Sequence, residues 1–199
     1  FGDGSAATVQ NPSHAYGAAG VYTVRLNVSA ADGGTNVRTR TGYISVTDGG
    51  ALPPGVAKLG CGVNPPSSFR VLAGSPRLGT SMTFGVDNPF STQAPGSVPI
   101  VIASWNADAR RPCGTLVAGA GMSAPGASGE RLIAAPALSS RTGTPWTGPG
   151  NPAPVVFTIP ATASLVGRTL FVQGRLVDGS SGATIPTALA DGFALTLQP

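Results

Sequence analysis

His14 is the one imidazole in this sequence, so Ser–His or Cys–His hydrolysis would have to pass through it. It stands in the turn-like stretch Asn11-Pro-Ser-His-Ala-Tyr16, and no G-x-S-x-G nucleophile elbow accompanies it. A packed, hydrogen-bonded structural role is expected of it. The chain also lacks an H-E-x-x-H pair, a P-loop and a dinucleotide fingerprint. Glycoside hydrolysis would need two carboxylates converging across a cleft. The eight acids are Asp3, Asp32, Asp48, Asp87, Asp108, Glu130, Asp178 and Asp191. Most are followed by Gly or Asn, the setting in which Asp caps its own turn. Calcium would need roughly six to eight oxygens in one place. Asp3, and Asp32 with Asn36, are the nearest candidates, and a turn role suits each better. The expectation is a non-enzyme with no metal and no cofactor.

Cys61 and Cys113 are too few for a zinc site. In an oxidising compartment they would form one disulfide, with two buried thiols as the alternative. Trp105 and Trp146 are the only tryptophans. Trp146 lies in the Pro/Gly-rich stretch GTPWTGPGNP, so it is the sugar-stacking candidate, although a loop Trp more often plugs the rim of its own core. Asn27-Val28-Ser29 is an N-glycosylation sequon. The net charge of +4 comes from eleven Arg and one Lys scattered along the chain, not from a basic block interleaved with aromatics. Nucleic-acid binding is therefore not expected. No run of about 18 apolar residues signals a membrane span.

The elements that would position these residues are strands. Gly 29 and Pro 19 punctuate short apolar runs, and 41% of the chain is hydrophobic against 10% charged, which argues for a folded, turn-rich all-β protein. Two units are expected: residues 1–47, a linker at 48–56 signalled by TDGGALPPG (Thr47–Gly55), and a β-sandwich or jelly roll over 57–199. Strands are predicted at Phe69–Leu72, Ser81–Val86, Pro99–Ser104, Arg131–Ala134, Val155–Ile159, Thr169–Leu176 and Phe193–Leu197, with one helical turn at Ala188–Asp191. In TLFVQGRLV, Leu170, Val172, Gly174 and Leu176 share a face. In YTVRLNVS, Tyr22, Val24, Leu26 and Val28 point one way and Thr23, Arg25, Asn27 and Ser29 the other. Ala30–Gly34 supplies a hairpin turn, and Val37–Val46 returns as the partner strand.

Four stretches carry a resemblance: FGDGS at Phe1–Ser5, NPSHAY at Asn11–Tyr16, GVYTVRLNVS at Gly20–Ser29 and YISV at Tyr43–Val46. Together they resemble the C-terminal half of a PKD (polycystic-kidney-disease-type) repeat, an immunoglobulin-like sandwich. The resemblance covers about 46 residues. It implies that two strands and most of a third would precede Phe1 in a complete repeat. The face of Tyr22, Val24, Leu26 and Val28 then lacks its opposing sheet, and covering it is worth about 1.5–3 kcal/mol per side chain. Either the chain is part of a longer one, or another subunit covers that face.

The second unit has its own likeness. CGVNPPSSFRVLAGSPRLGTSMTFGVDNP, PCGTLVAGAGM, FTIPATASLVGRTLFVQG and ALADGFALTL resemble a C-terminal module of large secreted proteins of planctomycete-type and myxobacterium-like bacteria. That resemblance implies location and architecture, and it supports pairing of Cys61 with Cys113. The functional expectation is a non-catalytic extracellular or cell-surface structural or adhesive protein. Its sharpest form is a self-assembling surface-fibre subunit that uses inter-subunit β-sheet completion. The alternative is an accessory carbohydrate-binding or spacer module of a larger secreted hydrolase. Expected partners are further copies, neighbouring domains of the same protein, or polysaccharide.

Overall fold

A computed structural model of the chain describes residues 1–16, 20–46 and 51–199, without the side chains of residues 20, 21 and 45. The fold is all-β, with strands joined by turns and a single 3-10 turn at Ala163–Leu165 among the described residues. No helix of the described residues is long and apolar enough to cross a membrane. The chain divides into two compact units, Phe1–Gly49 and Gly50–Pro199. Residues 47–50 of the expected linker region lie outside the described residues. Residues 51–56, read from sequence as the rest of that linker, are built into the second unit. Leu52 packs on its core, and the Thr196 N–H donates to the Gly55 carbonyl at 2.7 Å.

The first unit is a hairpin of β1 (Gly20–Ser29) and β2 (Thr35–Val46). Its turn closes because Gly33 adopts φ 86° and the Asp32 carboxylate accepts the Gly34 N–H at 3.0 Å. Register follows from that turn: Val28 faces Asn36, Leu26 faces Arg38 and Val24 faces Arg40. A bulge between Tyr22 and Val24 places extra residues of β2 there, and Gly42 within it donates its N–H to Thr23 Oγ1 at 3.2 Å.

The second unit is a sandwich. One sheet has three strands, in the order β10 (Ala153–Thr158), β5 (Ser81–Val86), β4 (Phe69–Ala73). The other has five, in the order β3 (Val56–Leu59), β12 (Thr187–Thr196), β11 (Thr169–Val177), β6 (Val98–Ser104), β9 (Ser139–Thr142). A separate hairpin pairs β7 (Thr115–Val117) with β8 (Gly129–Arg131). In β10, Ala153, Val155 and Phe157 are buried while Pro154, Val156 and Thr158 are exposed, the alternation of a strand wet on one side. Between the sheets, Phe69 stacks on Phe84 and Phe193 at centroid distances of 5.1 and 5.2 Å. Gly174 of β11 makes this possible, since a Cβ there would stand 2.7 Å from the Phe69 ring.

β11 is buried on both faces, unlike β10. Leu170, Val172 and Leu176 face the inter-sheet core, and Phe171 belongs to a second cluster with Leu59, Leu132, Ile133 and Ala194. The helical turn expected at Ala188–Asp191 is instead part of β12. The Ala-rich local propensity is weak, and pairing of Ala188 and Leu189 with Leu176 and Arg175 of β11 overrides it. The local irregularity survives as a bulge opposite Gln173–Arg175.

That bulge buries Asp191, which is 7% exposed. Lys58 Nζ lies 3.4 Å from its carboxylate. Burial nonetheless pushes the Asp191 carboxyl up to about 6, with the Glu130 charge adding to the rise and Lys58 and the Gly192 N–H opposing it. A carboxyl raised in the fold binds its proton there more tightly than in the unfolded chain. Its stabilising contribution is complete below the unfolded value of 3.8 and is lost as pH rises through about 6. Asp191→Asn should therefore gain on the parent protein by about 2–3 kcal/mol between pH 4 and pH 7.5. Urea unfolding of both proteins across that range checks it; a constant difference would refute it.

Cys61 and Cys113, 52 residues apart, form a disulfide. Closing such a loop restricts the unfolded chain, so Cys61→Ala should lower stability by about 2–4 kcal/mol with the sandwich still formed. Denaturant unfolding without reductant measures that loss.

Candidate functional site

His14 sits in a small aromatic and polar knot. It stacks on Phe1 at 4.2 Å and meets the Tyr16 ring edge-on at 4.6 Å, while Tyr16 stacks on Tyr22 at 4.3 Å. The Tyr16 hydroxyl donates to the Phe1 carbonyl at 3.1 Å. Ser5, His14 and Asp3 all converge here, and the geometry decides what they can do. Ser5 Oγ donates to Asp3 Oδ1 at 2.6 Å, and His14 Nε2 lies 2.7 Å from Asp3 Oδ2 and 3.2 Å from Ser5 Oγ. A hydrolytic triad needs the serine on one ring nitrogen and the carboxylate on the other. Here one nitrogen faces both, and the serine proton is already committed to the carboxylate. Hydrogen bonds from the Ser5 hydroxyl, the Ser5 N–H and His14 hold the Asp3 carboxyl far below the usual range. The knot is a clamp on the start of the first unit.

The face read from β1 is only half of a surface. Pairing in register puts Ile44, Arg40, Arg38 and Asn36 beside Tyr22, Val24, Leu26 and Val28. Val24, Leu26, Arg38, Arg40 and Tyr43 line a groove of about 290 Å³. The Arg40 guanidinium lies 4.6 Å above the Tyr43 ring. Tyr22 and Val24 are half-buried, whereas Leu26 is 60% and Val28 53% exposed. The face is thus apolar along one strand and cationic along the other, a composition that the β1 alternation alone does not reveal. The i, i+2 spacing of Arg38 and Arg40 and the tight turn were the signals that could have found it.

Trp146 does not offer a sugar platform. It has no exposed surface, and its Nε1–H donates to the buried Asp87 carboxylate at 2.8 Å. The Pro/Gly-rich loop folds inward because that indole has a buried acceptor to reach, and Asp87 also accepts the Gly150 N–H at 2.9 Å. Trp105 is half-buried with the Arg168 guanidinium 4.5 Å over its ring. Asn27 is exposed on β1, paired with Val37. Among the described residues, Cys61, Cys113 and Glu130 form a grouping of metal-type ligands, but both sulfurs are spent in the disulfide.

Sequence reasoning missed a buried polar centre around Glu130, which is 1% exposed. Its carboxylate accepts the Gly114 N–H at 2.7 Å and the Cys61 N–H at 3.1 Å. Its carbonyl accepts from Asn64 Nδ2 and Gln173 Nε2, both at 2.7 Å. The pieces come from distant parts of the chain, so no local pattern announces them.

A family model described as PKD domain matches residues 1–46. A microbial collagenase of Vibrio alginolyticus is 39% identical over 76 residues, which are 38% of this chain and 9% of the relative. The chain thus spans a small fraction of the curated relative it matches. No solved structure matches. The matched PKD region and the collagenase relative suggest an extracellular setting.

If the knot is a clamp, His14→Ala should broaden or shift the NMR signals of Phe1, Tyr16 and Tyr22 while leaving those of the Phe69–Phe84–Phe193 core in place. Equal disturbance of both sets would contradict this reading.

Proposed function

We propose that the chain is a non-catalytic accessory module of a larger secreted protein, acting as a spacer that also contacts a polymeric substrate. The match of residues 1–46 to a PKD domain carries this reading. The likeness to a microbial collagenase supports a hydrolase as parent. The clamp geometry of Ser5, His14 and Asp3 supports a non-catalytic role for the first unit. With Trp146 buried, stacking on sugar is a weaker basis for contact than the apolar and cationic groove of the first unit. Guanidinium groups beside aliphatic and aromatic side chains suit hydrogen-bond acceptors flanked by apolar surface, as a protein polymer presents them.

Co-sedimentation with insoluble collagen, and in parallel with cellulose and chitin, tests the reading. The chain should pellet with collagen in preference to either polysaccharide and release no soluble fragments. Release of fragments that depends on His14 would overturn it. Binding to neither class would leave the spacer role alone.

The exposed Leu26 and Val28 favour a second reading, in which a neighbouring copy or domain covers that face. Sedimentation velocity over a wide concentration range separates the two. Self-association that Leu26→Asp abolishes would favour completion by another copy, since the contact would bury an unpaired charge. A monomer at all concentrations would leave the accessory role.

A further inference from the structure

The outer face of the five-stranded sheet is covered by chain that does not belong to that sheet. Leu132 and Ile133 lie on it with Leu59, Phe171 and Ala194. The covering segment is anchored unequally. Around its middle, Met122 is buried in the inter-sheet core, Thr92 Oγ1 donates to the Met122 carbonyl at 2.7 Å, and the Leu189 N–H donates to the Ala120 carbonyl at 2.8 Å. Of its two flanks, residues 129–133 are held on the sheet by Gln173, whose Oε1 accepts the Leu132 N–H at 2.9 Å and whose Nε2 donates to the Glu130 carbonyl at 2.7 Å, whereas residues 109–114 are held through the Gly114 N–H on the Glu130 carboxylate.

Glu130 is a buried carboxylate, and such a group is costly unless its acceptors are met. The donors here are backbone N–H groups of Cys61 and Gly114, from segments far apart in sequence. Those segments are tied by the Cys61–Cys113 bond and by the Gly60 N–H donating to the Pro112 carbonyl at 3.2 Å. Cys61 is exposed and Cys113 half-buried, so a thiol can reach the bond from solvent. The Phe69–Phe84–Phe193 core contains neither cysteine and owes its packing to the two sheets themselves.

We propose that the Cys61–Cys113 disulfide is a redox latch on this cover. A dithiol reductant attacks one sulfur as its thiolate, the S–S bond breaks, and its second thiol resolves the mixed disulfide. Two cysteine thiols and one oxidised dithiol result, a two-electron exchange. The two N–H donors then separate from the Glu130 carboxylate. Residues 109–114 lift, taking the Arg111 guanidinium from its place 5.5 Å over the Phe171 ring and opening that edge of the Leu59–Phe171–Ala194 patch, while residues 129–133, the segment around Met122 and the inter-sheet core hold. The apolar patch is closed in an oxidising compartment and open in a reducing one.

Hydrogen-exchange mass spectrometry on the native chain, with and without dithiothreitol, tests this. Amides of residues 109–114 should exchange about tenfold faster or more after reduction, with those of 129–133, β5, β11 and β12 unchanged. Binding of an apolar fluorescent dye should rise in parallel. The double variant Cys61→Ser/Cys113→Ser should match the reduced protein without reductant. If it cannot be obtained folded, reduction of the folded parent decides. Unchanged protection of residues 109–114, or simultaneous loss across the whole second unit, would overturn the proposal.

Discussion

A sheet residue with an amide side chain and no exposed surface must have its donors and its acceptor met inside the protein, and Gln173 is that residue in the second unit. Its Nε2 donates to the carbonyls of Glu130 and Ala190, and its Oε1 accepts the Leu132 N–H at 2.9 Å. These bonds replace the ladder that another strand would have supplied. They let an irregular segment lie on the outer face of the five-stranded sheet without leaving its backbone unpaired. Asn64 repeats the device, donating to the same two carbonyls and accepting the Glu130 N–H at 2.8 Å. The bulge in β12 and the buried Asp191 follow from the same arrangement, because the Ala190 carbonyl must turn toward both amides. A covered outer face, a buried glutamate and a perturbed aspartate are parts of one solution.

The two units stand at opposite ends of the same constraint. In the second, both faces of the central strands are buried, and the Gln173 and Asn64 amides that this encloses are paired. In the first, a two-stranded ribbon carries its apolar residues on a face where Leu26 and Val28 remain exposed. An isolated hairpin buries too little surface to order itself well. The Phe1–His14–Tyr16–Tyr22 ring series offsets part of that deficit by covering one end of β1. Two guanidiniums on the opposite strand keep the remaining surface from being uniformly apolar, which lowers its tendency to pair indiscriminately. Such a surface suits a module that works beside other domains.

Local alternation was enough to read the all-β class, the hairpin of the first unit, the two faces of β11 and the turn roles of Asp3 and Asp32. Each depends on residues a few positions apart, where the period-two geometry of a strand and the self-capping of Asp act directly. The four short motifs of residues 1–46 pointed to the PKD likeness for the same reason. Tertiary structure decided the rest. Trp146 sits in a stretch whose composition suggests a surface loop, and only the Asp87 carboxylate, brought from 59 positions away, turns its indole inward. Ala188–Asp191 has the composition of a helical turn, yet pairing of Ala188 and Leu189 with β11 holds it as strand. Glu130, Asn64 and Gln173 look like ordinary turn and surface residues until residues 43 to 126 positions apart are brought together. Short-range geometry is written in neighbouring residues; the pairing of buried polar groups is set by which distant segments the packed sheets bring within hydrogen-bond reach.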